Sequence, residues 1–371
     1  MTQNTETQFL PRGEGPKVIL YHQTYHPNNG NYVSLLPLIT RNTGITHIIA
    51  AAIHLNEGPG NITLNDHPPS HDKYTTLWGE IAWLQASGIK VLALLGGAAK
   101  GSFQRLDGDD PQRFESYYMP LRDLIRSRNL QGLDLDVEEP MSLPGIIRLI
   151  DRLRADFGPD FLITLAPVAT ALLPGSPHLS GFDYFLLEQM RGREIAWYNT
   201  QFYCGWGDAG TTFWYDAIMS VGWRAEKVVM GLITNPRLGA GHVEMARMEG
   251  VLRTLRAKYP GFGGVMGWEY FNALPGGRAR PWEWAECMGR VLRAPMPTPA
   301  PPRLPGPGSS AQVPVRPYGG GAVAVSPAPQ PYPAESIKTL QDLGFGQQQA
   351  VAALNMTNRN VEQAAGLLFG D

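Results

Sequence analysis

Eight short apolar runs, separated by amphipathic segments, recur along the first 293 residues of the chain. Each run holds seven to ten residues rich in Val, Ile, Leu or Ala, a pattern that predicts a buried strand. The predicted strands are 17–23, 46–55, 90–97, 132–138, 161–167, 196–203, 227–233 and 263–270. Helical periodicity lies between them, for example at 77–88, 111–128, 144–158 and 243–259. Eight strands alternating with helices over roughly 280 residues predict an α/β fold of the (β/α)8 TIM-barrel type.

A doubly wound open sheet is the alternative that the same alternation allows. Its nucleotide-binding form carries a GxGxxG turn after the first strand, and no such turn follows residues 17–23. The barrel is therefore the favoured architecture.

The charged residues and the cysteines exclude other classes of protein. Lys and Arg (31) nearly balance Asp and Glu (33) and form no basic run, so nucleic acid is not an expected partner. The two cysteines, Cys204 and Cys287, exclude a disulfide framework and lie in no cluster with metal-ligand spacing. We expect both to be small buried hydrophobic residues, and we predict no metal and no organic cofactor.

The segment QGLDLDVEEP, residues 131–140, carries an acidic residue at every second position. Because side chains alternate along a strand, Asp134, Asp136 and Glu138 share one face. The opposite face carries Leu133, Leu135 and Val137. In a barrel the acidic face points inward, where burial and mutual repulsion raise carboxyl pKa values, so we expect a shared proton. Glu138 stands at the strand's C-terminal end, where barrel enzymes hold their active sites, and is a candidate general acid for cleaving a glycosidic bond.

A solvated edge strand would show the same spacing of acids. The predicted strand is the fourth of eight in a closed barrel, however, and such a barrel has no edge. Other predicted strands also end in polar and aromatic residues, namely Tyr198, Gln201 and Tyr203 in the sixth and Trp268, Glu269 and Tyr270 in the eighth. Sugar sites combine hydrogen-bonding groups with aromatic faces, so these residues favour a carbohydrate site.

Four of these elements resemble a known family. QGLDLDVE resembles the DxxDxDxE signature of glycoside hydrolase family 18, with Asp134, Asp136 and Glu138 in its last three acidic positions. KVLALLGG resembles the family's third-strand SxGG element, YNTQFY its sixth strand, and GGVMGWEY its eighth, whose Trp forms the floor of the sugar site. The wider text, including THIIAAAIHLN and GGVMGWEYFNALPGG, is most similar to fungal endo-β-N-acetylglucosaminidases, which cut the chitobiose core of N-glycans.

The resemblance implies a retaining, substrate-assisted mechanism. Glu138 would protonate the leaving oxygen while the N-acetyl oxygen of the sugar attacks the anomeric carbon and forms an oxazolinium. The resemblance assigns the surrounding roles as follows: Asp136 polarises the acetamide N–H, Asp134 hydrogen-bonds Asp136, Tyr203 holds the acetamide oxygen, Gln201 orients the acetamide, and Trp268 stacks beneath the sugar. The other predicted substrate-binding residues are Tyr21, Gly96, Gly97 and Glu269.

The sequence departs from the family pattern at two places. Gln131 stands where the first Asp of the motif is usual, and Leu94 replaces a Ser expected beside it. We expect a neutral arrangement in place of the family's buried Asp–Ser contact, a weaker upward push on the neighbouring pKa values, and an altered pH optimum rather than loss of turnover. Only about ten residues separate the seventh strand from the next helix, which leaves no room for the α+β insertion of many processive chitinases. A shallow cleft suited to a branched glycan follows.

Two other functions stay open at this point. A chitinase acting on chitooligosaccharides is the nearest enzymic alternative. A catalytically silent glycan-binding adaptor is the other, because of Gln131. Glu138 argues against the adaptor, since inactive relatives typically lack this residue.

The composition changes after Arg293. Residues 295–333 hold thirteen of the 32 prolines and predict an extended linker. We predict four regions, namely a disordered segment at 1–15, the catalytic domain at 16–293, the linker at 294–333 and a small domain at 334–371.

The small domain resembles a ubiquitin-associated (UBA) domain. Its helical patterns lie at 335–342, at 347–354 and in NVEQAAGLLF. The resemblance implies ubiquitin or ubiquitinated proteins as partners, bound through Leu343, Gly344, Phe345, Leu367 and Leu368.

The first residues contain no apolar run of signal-peptide length, and no stretch of roughly 18 apolar residues predicts a membrane span. With a ubiquitin partner, these features predict a cytoplasmic protein.

Overall fold

The computed structural model describes residues 15–295, 334–342 and 361. Its strands are β1 (Lys17–His22), β2 (His47–Leu55), β3 (Ile62–Leu64), β4 (Lys90–Gly96), β5 (Gly132–Asp136), β6 (Leu162–Leu165), β7 (Trp197–Gln201), β8 (Val228–Ile233) and β9 (Gly264–Trp268). Its helices are α1 (Leu36–Thr40), α2 (Thr75–Ala86), α3 (Ser102–Leu106), α4 (Pro111–Ser127), α5 (Leu143–Phe157), α6 (Tyr184–Arg191), α7 (Phe213–Ser220), α8 (Met245–Lys258), α9 (Glu283–Arg293) and α10 (Ala334–Asp342).

The strands form a closed barrel, as predicted. Eight of them pair in parallel in the order β1, β2, β4, β5, β6, β7, β8, β9, and β1 also pairs with β9, which closes the ring. The remaining strand, β3, pairs antiparallel with β2 and forms a hairpin that was not predicted from the sequence. All eight predicted strands are present, and all carry their C-terminal ends to one face of the barrel.

Two apolar clusters hold the barrel together. One fills its interior and includes Ile19, Leu92 and Met266. The other lies between the strands and the surrounding helices and includes Leu133, Leu135 and Val137. The predicted orientation of β5 is therefore confirmed, because its leucines pack outward and its acidic face points into the barrel.

Local sequence signals fix where the helices begin. Asp110 accepts hydrogen bonds from the backbone N–H of Gln112 and Arg113, and Pro111 starts α4. Ser142 likewise accepts from Gly145 N and begins α5 directly after the acidic segment. The four predicted helices are confirmed to within two residues at each end, as α2, α4, α5 and α8.

The chain divides into two compact units, Met1–Pro299 and Ala300–Asp371. In the second unit the first predicted helix is present as Ala334–Asp342, and Val361 is helical. The predicted second helix and the residues proposed to bind ubiquitin, at 343–345 and 367–368, lie outside the described residues. Within the described residues, no helix is long and apolar enough to cross a membrane.

Candidate active site

Asp134 forms the buried base of the site. It is 0% exposed and lies in the middle of β5. Three other strands, β1, β6 and β7, supply its partners: Tyr21 Oη donates to Oδ2 at 2.6 Å, and Thr164 Oγ1 and Asn199 Nδ2 donate to Oδ1 at 2.5 and 2.9 Å. Burial raises the pKa of Asp134, and the three hydrogen bonds oppose that rise. Among the described residues these three donors are the hydrogen-bond partners of Asp134, and the predicted hydrogen bond between Asp134 and Asp136 is not observed.

The amide of Asn199 is itself oriented by a neighbour. Trp197 Nε1 donates to Asn199 Oδ1 at 2.9 Å, which leaves the amide nitrogen to face Asp134. Trp197 and Asn199 lie two residues apart on β7 and so point to the same side of the strand. The indole therefore fixes the donor that reaches the buried acid.

Gln131 lies away from the cleft, at the start of the segment that leads into β5. Its Oε1 accepts a hydrogen bond from Val91 N at 2.8 Å, whereas Leu94 is paired in register with Asp134. Gln131 therefore bonds the backbone of β4, and the expected effect on the pH optimum stays a prediction. The Gln131 side chain joins the start of β5 to β4, and the hydrogen-bond partners of Asp134 are Tyr21, Thr164 and Asn199.

Asp136 and Glu138 converge on one amide nitrogen. Gln201 Nε2 lies 3.3 Å from Asp136 Oδ1 and 3.1 Å from Glu138 Oε1, and it also donates to Ala166 O at 3.0 Å. Burial, the charge of Glu138 and the charge of Asp134 raise the pKa of Asp136 well above its ordinary value. Glu138 is half-buried and lines the cleft beside Asp136.

The glycine pair at the end of β4 lets the backbone approach Asp136. Gly96 and Gly97 both have positive φ, +95° and +82°, and Gly97 N donates to Asp136 O at 2.9 Å. A Cβ at Gly96 would lie 2.6 Å from Asp136 O, which no side chain could tolerate without movement of the backbone. The requirement for glycine here is therefore steric as well as conformational.

An open cleft of about 420 Å³ lies above these carboxyls at the C-terminal face of the barrel. Its lining includes Asp136, Glu138, Gln201, Tyr203 and Trp268, so the structure brings together these five predicted residues and the glycine pair. Within the described residues the Tyr203 hydroxyl makes no hydrogen bond, and burial together with the charges of Asp136 and Glu138 raises its pKa well above the ordinary value. The hydroxyl therefore stays a donor, available to a ligand in the cleft.

Two predicted substrate-binding residues lie outside the cleft lining. Tyr21 is 1% exposed and lies beneath the cleft. Its ring centroid lies 5.5 Å from that of Trp268, and its hydroxyl donates a hydrogen bond to Asp134. Glu269 turns toward the segment after β1, and its carboxylate accepts from Gln23 N, Thr24 N and Thr24 Oγ1 at 2.7–2.8 Å. Both side chains support the site from below or from the side, so their predicted contact with substrate finds no support in the geometry.

Cys204 lies at the cleft rather than in the core. It is exposed, has a φ of +54° and lines the cavity, while Cys287 is partly buried. The expectation that both are buried is wrong, because the chain leaves the barrel in a turn directly after Tyr203. Both thiols are free, and the described residues contain no cluster of His, Cys, Asp and Glu able to hold a metal ion.

Thr164 and Asn199 were not among the residues predicted from the sequence. Both lie on the inward face of their strands, at β6 and β7, and Asn199 shares that face with Gln201. The alternation in WYNTQ is the signal that could have found Asn199. Thr164 stands alone between apolar residues, and only the barrel brings it to Asp134.

Paired carboxyls at the C-terminal face of a (β/α)8 barrel, beside an aromatic ring, meet the chemical requirements of glycoside hydrolysis. The family model "Glycosyl hydrolases family 18" matches residues 17–244, and the chain belongs to this family. It is a glycoside hydrolase of the chitinase and endo-β-N-acetylglucosaminidase type. A second family model, "UBA/TS-N domain", matches residues 332–368, so the tail carries a UBA domain.

Solved relatives of the barrel include both activities. A chitinase, ChiC, from Aspergillus fumigatus is 59% identical with a TM-score of 0.69 and covers 73% of this chain and 97% of its own. A fungal endo-β-N-acetylglucosaminidase of the family is 50% identical with a TM-score of 0.72 and covers 75% and 98%. Chitinase 2 of Rhizopus oligosporus is 28% identical over 221 residues, 53% of this chain. The match to this curated relative spans only 37% of that protein's length.

Proposed function

We propose that the chain is an endo-β-N-acetylglucosaminidase that hydrolyses the β-1,4 bond of the chitobiose core of N-glycans. The observation that carries this choice is a second, polar cavity of about 530 Å³ beside the cleft. The two cavities share Gln23, His54 and Ala99 and are therefore adjoining. A linear polymer needs one groove, whereas a branched glycan needs space to the side of the reacting sugar, which this cavity supplies.

The segment after β8 supports the same choice. Eleven residues, 234–244, connect β8 to α8. This connection is too short to hold an inserted domain that would deepen the cleft. The 50% identity to a fungal endo-β-N-acetylglucosaminidase is the corresponding support from comparison.

In the proposed mechanism the substrate supplies its own nucleophile. Glu138 donates a proton to the leaving oxygen, and the acetamide oxygen of the sugar attacks the anomeric carbon. Asp136 holds the acetamide N–H, Tyr203 donates its free hydroxyl to the acetamide oxygen, and Gln201 keeps the two carboxyls together. Glu138 then withdraws a proton from water as water opens the oxazolinium.

Asp134 has an indirect part in this mechanism. Its three hydrogen bonds hold a buried negative charge below Asp136, and that charge contributes to the raised pKa of Asp136. The arrangement keeps one proton within the pair formed by Asp136 and Glu138, where the leaving oxygen requires it.

Chitinase is the second candidate. It is favoured by the 59% identity to the chitinase ChiC, which exceeds the identity to the endo-β-N-acetylglucosaminidase even though the TM-scores rank in the opposite order. A high-mannose glycopeptide and a chitooligosaccharide, incubated separately with the full chain at equal concentration, distinguish the two. The proposal expects the higher kcat/KM on the glycopeptide, and a higher value on the chitooligosaccharide would overturn it. A chain that binds glycan but turns over neither substrate would be an adaptor.

The UBA domain supports a proposal about partners. We expect the tail to bind ubiquitin or ubiquitinated proteins, and hence the enzyme to act in the cytoplasm on ubiquitinated glycoproteins. Pull-down of the full chain on immobilised ubiquitin chains tests the first step, with a variant lacking residues 334–371 as the control. Equal recovery of both proteins, or of neither, would reject a ubiquitin-binding tail, and cell fractionation tests the location.

A further inference from the structure

The candidate acid Glu138 lies outside regular structure. Strand β5 ends at Asp136 and helix α5 begins at Leu143, so residues 137–142 form a connecting segment without a strand or helix to hold them. Within it, Glu138 N donates to Asp136 O at 3.2 Å, and Met141 N donates to Ser180 O at 2.9 Å.

Glu139 supplies a fixed point directly beside the acid. It is 2% exposed, its Oε2 accepts from Gly101 N at 2.6 Å, and its Oε1 accepts from Phe103 N at 2.8 Å. Hydrogen bonds that involve a charged group are about twice as strong as neutral ones. One carboxylate therefore joins the segment that carries the acid to the start of helix α3.

The same contact reaches the wall of the cleft. Gly101 is the last residue of the loop between β4 and α3, and residues 97–99 of that loop line the cleft. Gly101 has a φ of +115°, a backbone setting that aims its N–H at Glu139 and that other residues rarely adopt. The distance between the acid and this wall thus depends on two hydrogen bonds to one side chain.

From this geometry we infer that Glu139 is a positioning residue for the general acid Glu138. Glu139 directly follows Glu138, so anchoring its carboxylate on the α3 side fixes the backbone from which the Glu138 side chain enters the cleft. The inference rests on the proposed role of Glu138 but not on the choice between glycan and chitin. Misplacement of a catalytic group by about 1 Å lowers turnover by roughly a hundredfold in other enzymes, and this sets the scale expected here.

The test compares Glu139→Gln with a matched control, Glu80→Gln. Glu80 is also buried, at 7% exposure, and its carboxylate accepts hydrogen bonds from Tyr32 Oη, Ser34 Oγ and Leu35 N. It lies on α2 and does not line the cleft. Both changes put an amide where a buried carboxylate accepted hydrogen bonds, from two backbone N–H groups at Glu139 and from one backbone N–H and two hydroxyls at Glu80. The control therefore reports the general cost of replacing a buried, hydrogen-bonded carboxylate by an amide.

Kinetics are measured in the full chain on two substrates that carry the same glycan, of the class that the wild type turns over faster, and differ only in leaving group. One releases a sugar and the other releases 4-nitrophenol, which needs little help from an acid. For Glu139→Gln we expect kcat on the sugar-releasing substrate to fall by roughly tenfold to a hundredfold, with KM nearly unchanged and the aryl substrate much less affected. Glu139→Asp should recover part of the loss, and Glu80→Gln should keep both rates.

The outcomes distinguish the role of Glu139 from that of Glu138. Equal losses on both substrates, or losses that match those of Glu80→Gln, overturn the positioning role of Glu139 while leaving the proposed function intact. If Glu139→Gln does not fold, Glu139→Asp gives the same comparison. Wild-type turnover that survives in Glu138→Gln overturns the proposed mechanism itself, and the inference about Glu139 with it.

Discussion

The hydrogen bond from Tyr21 to Asp134 allows a quantitative prediction. Tyr21→Phe removes one hydroxyl, which donates to a fully buried carboxylate at 2.6 Å, and leaves the ring in place. Hydrogen bonds to charged groups contribute about 1.5–3 kcal/mol, so we expect the free energy of unfolding to fall by about that amount at neutral pH. For a domain of this size that corresponds to a fall in Tm of about 3–12 °C.

The loss should depend on pH, because the hydroxyl opposes the rise in the pKa of Asp134 caused by burial. The folded pKa already exceeds the unfolded one, and removing the donor raises it further. Protonated Asp134 needs the donor less than the carboxylate does. The destabilisation should therefore be largest at high pH and shrink as the pH falls through the folded pKa.

Thermal melts of Tyr21→Phe at several pH values, with Tyr25→Phe as the control, test this reasoning. Tyr25 is equally buried, but its hydroxyl donates to a neutral carbonyl, Ala51 O, at 2.7 Å. Its removal should cost about 1 kcal/mol at every pH. A penalty for Tyr21→Phe that is as small as that of Tyr25→Phe, or that does not change with pH, would refute a charged Asp134 held by three donors.

Three further outcomes are expected. Asp136→Asn should gain stability relative to wild type as the pH rises above about 4. The pKa of Asp136 is raised in the folded wild type, so deprotonation above that pH costs the folded wild type more than the unfolded chain, and the Asn variant avoids this cost. Tm curves of the two proteins that stay parallel with pH would contradict this. Trp268→Ala should raise KM by about twofold to tenfold with a smaller effect on kcat, if the indole stacks beneath the sugar; an unchanged KM would argue against stacking. Glu269→Gln should lower the free energy of unfolding by about 1–3 kcal/mol, because it disturbs three hydrogen bonds to Gln23 and Thr24. An unchanged Tm would contradict a contribution of these hydrogen bonds to stability.

Much of the barrel was predictable because its signal is local. Each strand is a short apolar run bounded by polar residues, and the alternation in β5 correctly assigned its inward and outward faces. The end of β5 was less predictable. The alternating pattern runs on to Glu138, but pairing with β4 stops at Asp136 because the glycine pair of β4 turns away there.

The contacts that organise the site come from residues far apart in sequence. Thr164 and Asn199 reach Asp134 from 30 and 65 residues away, and Glu269 reaches Thr24 across 245 residues. No local pattern specifies such pairs. The same holds for the peptide bonds at Ala51–Ala52 and Trp268–Glu269, which are cis although no proline is involved. Glu139 was overlooked because an acid next to the signature looks like a solvated residue until its two backbone donors are seen.

The proposed function is tested most directly by mass spectrometry of a defined N-glycoprotein after incubation with the full chain. Cleavage within the chitobiose core leaves one N-acetylglucosamine on each modified asparagine and releases the rest of the glycan as one oligosaccharide. We predict this pair of products with the wild type and neither product with Glu138→Gln. An unchanged glycoprotein with the wild type, or the same products with Glu138→Gln, would contradict the account.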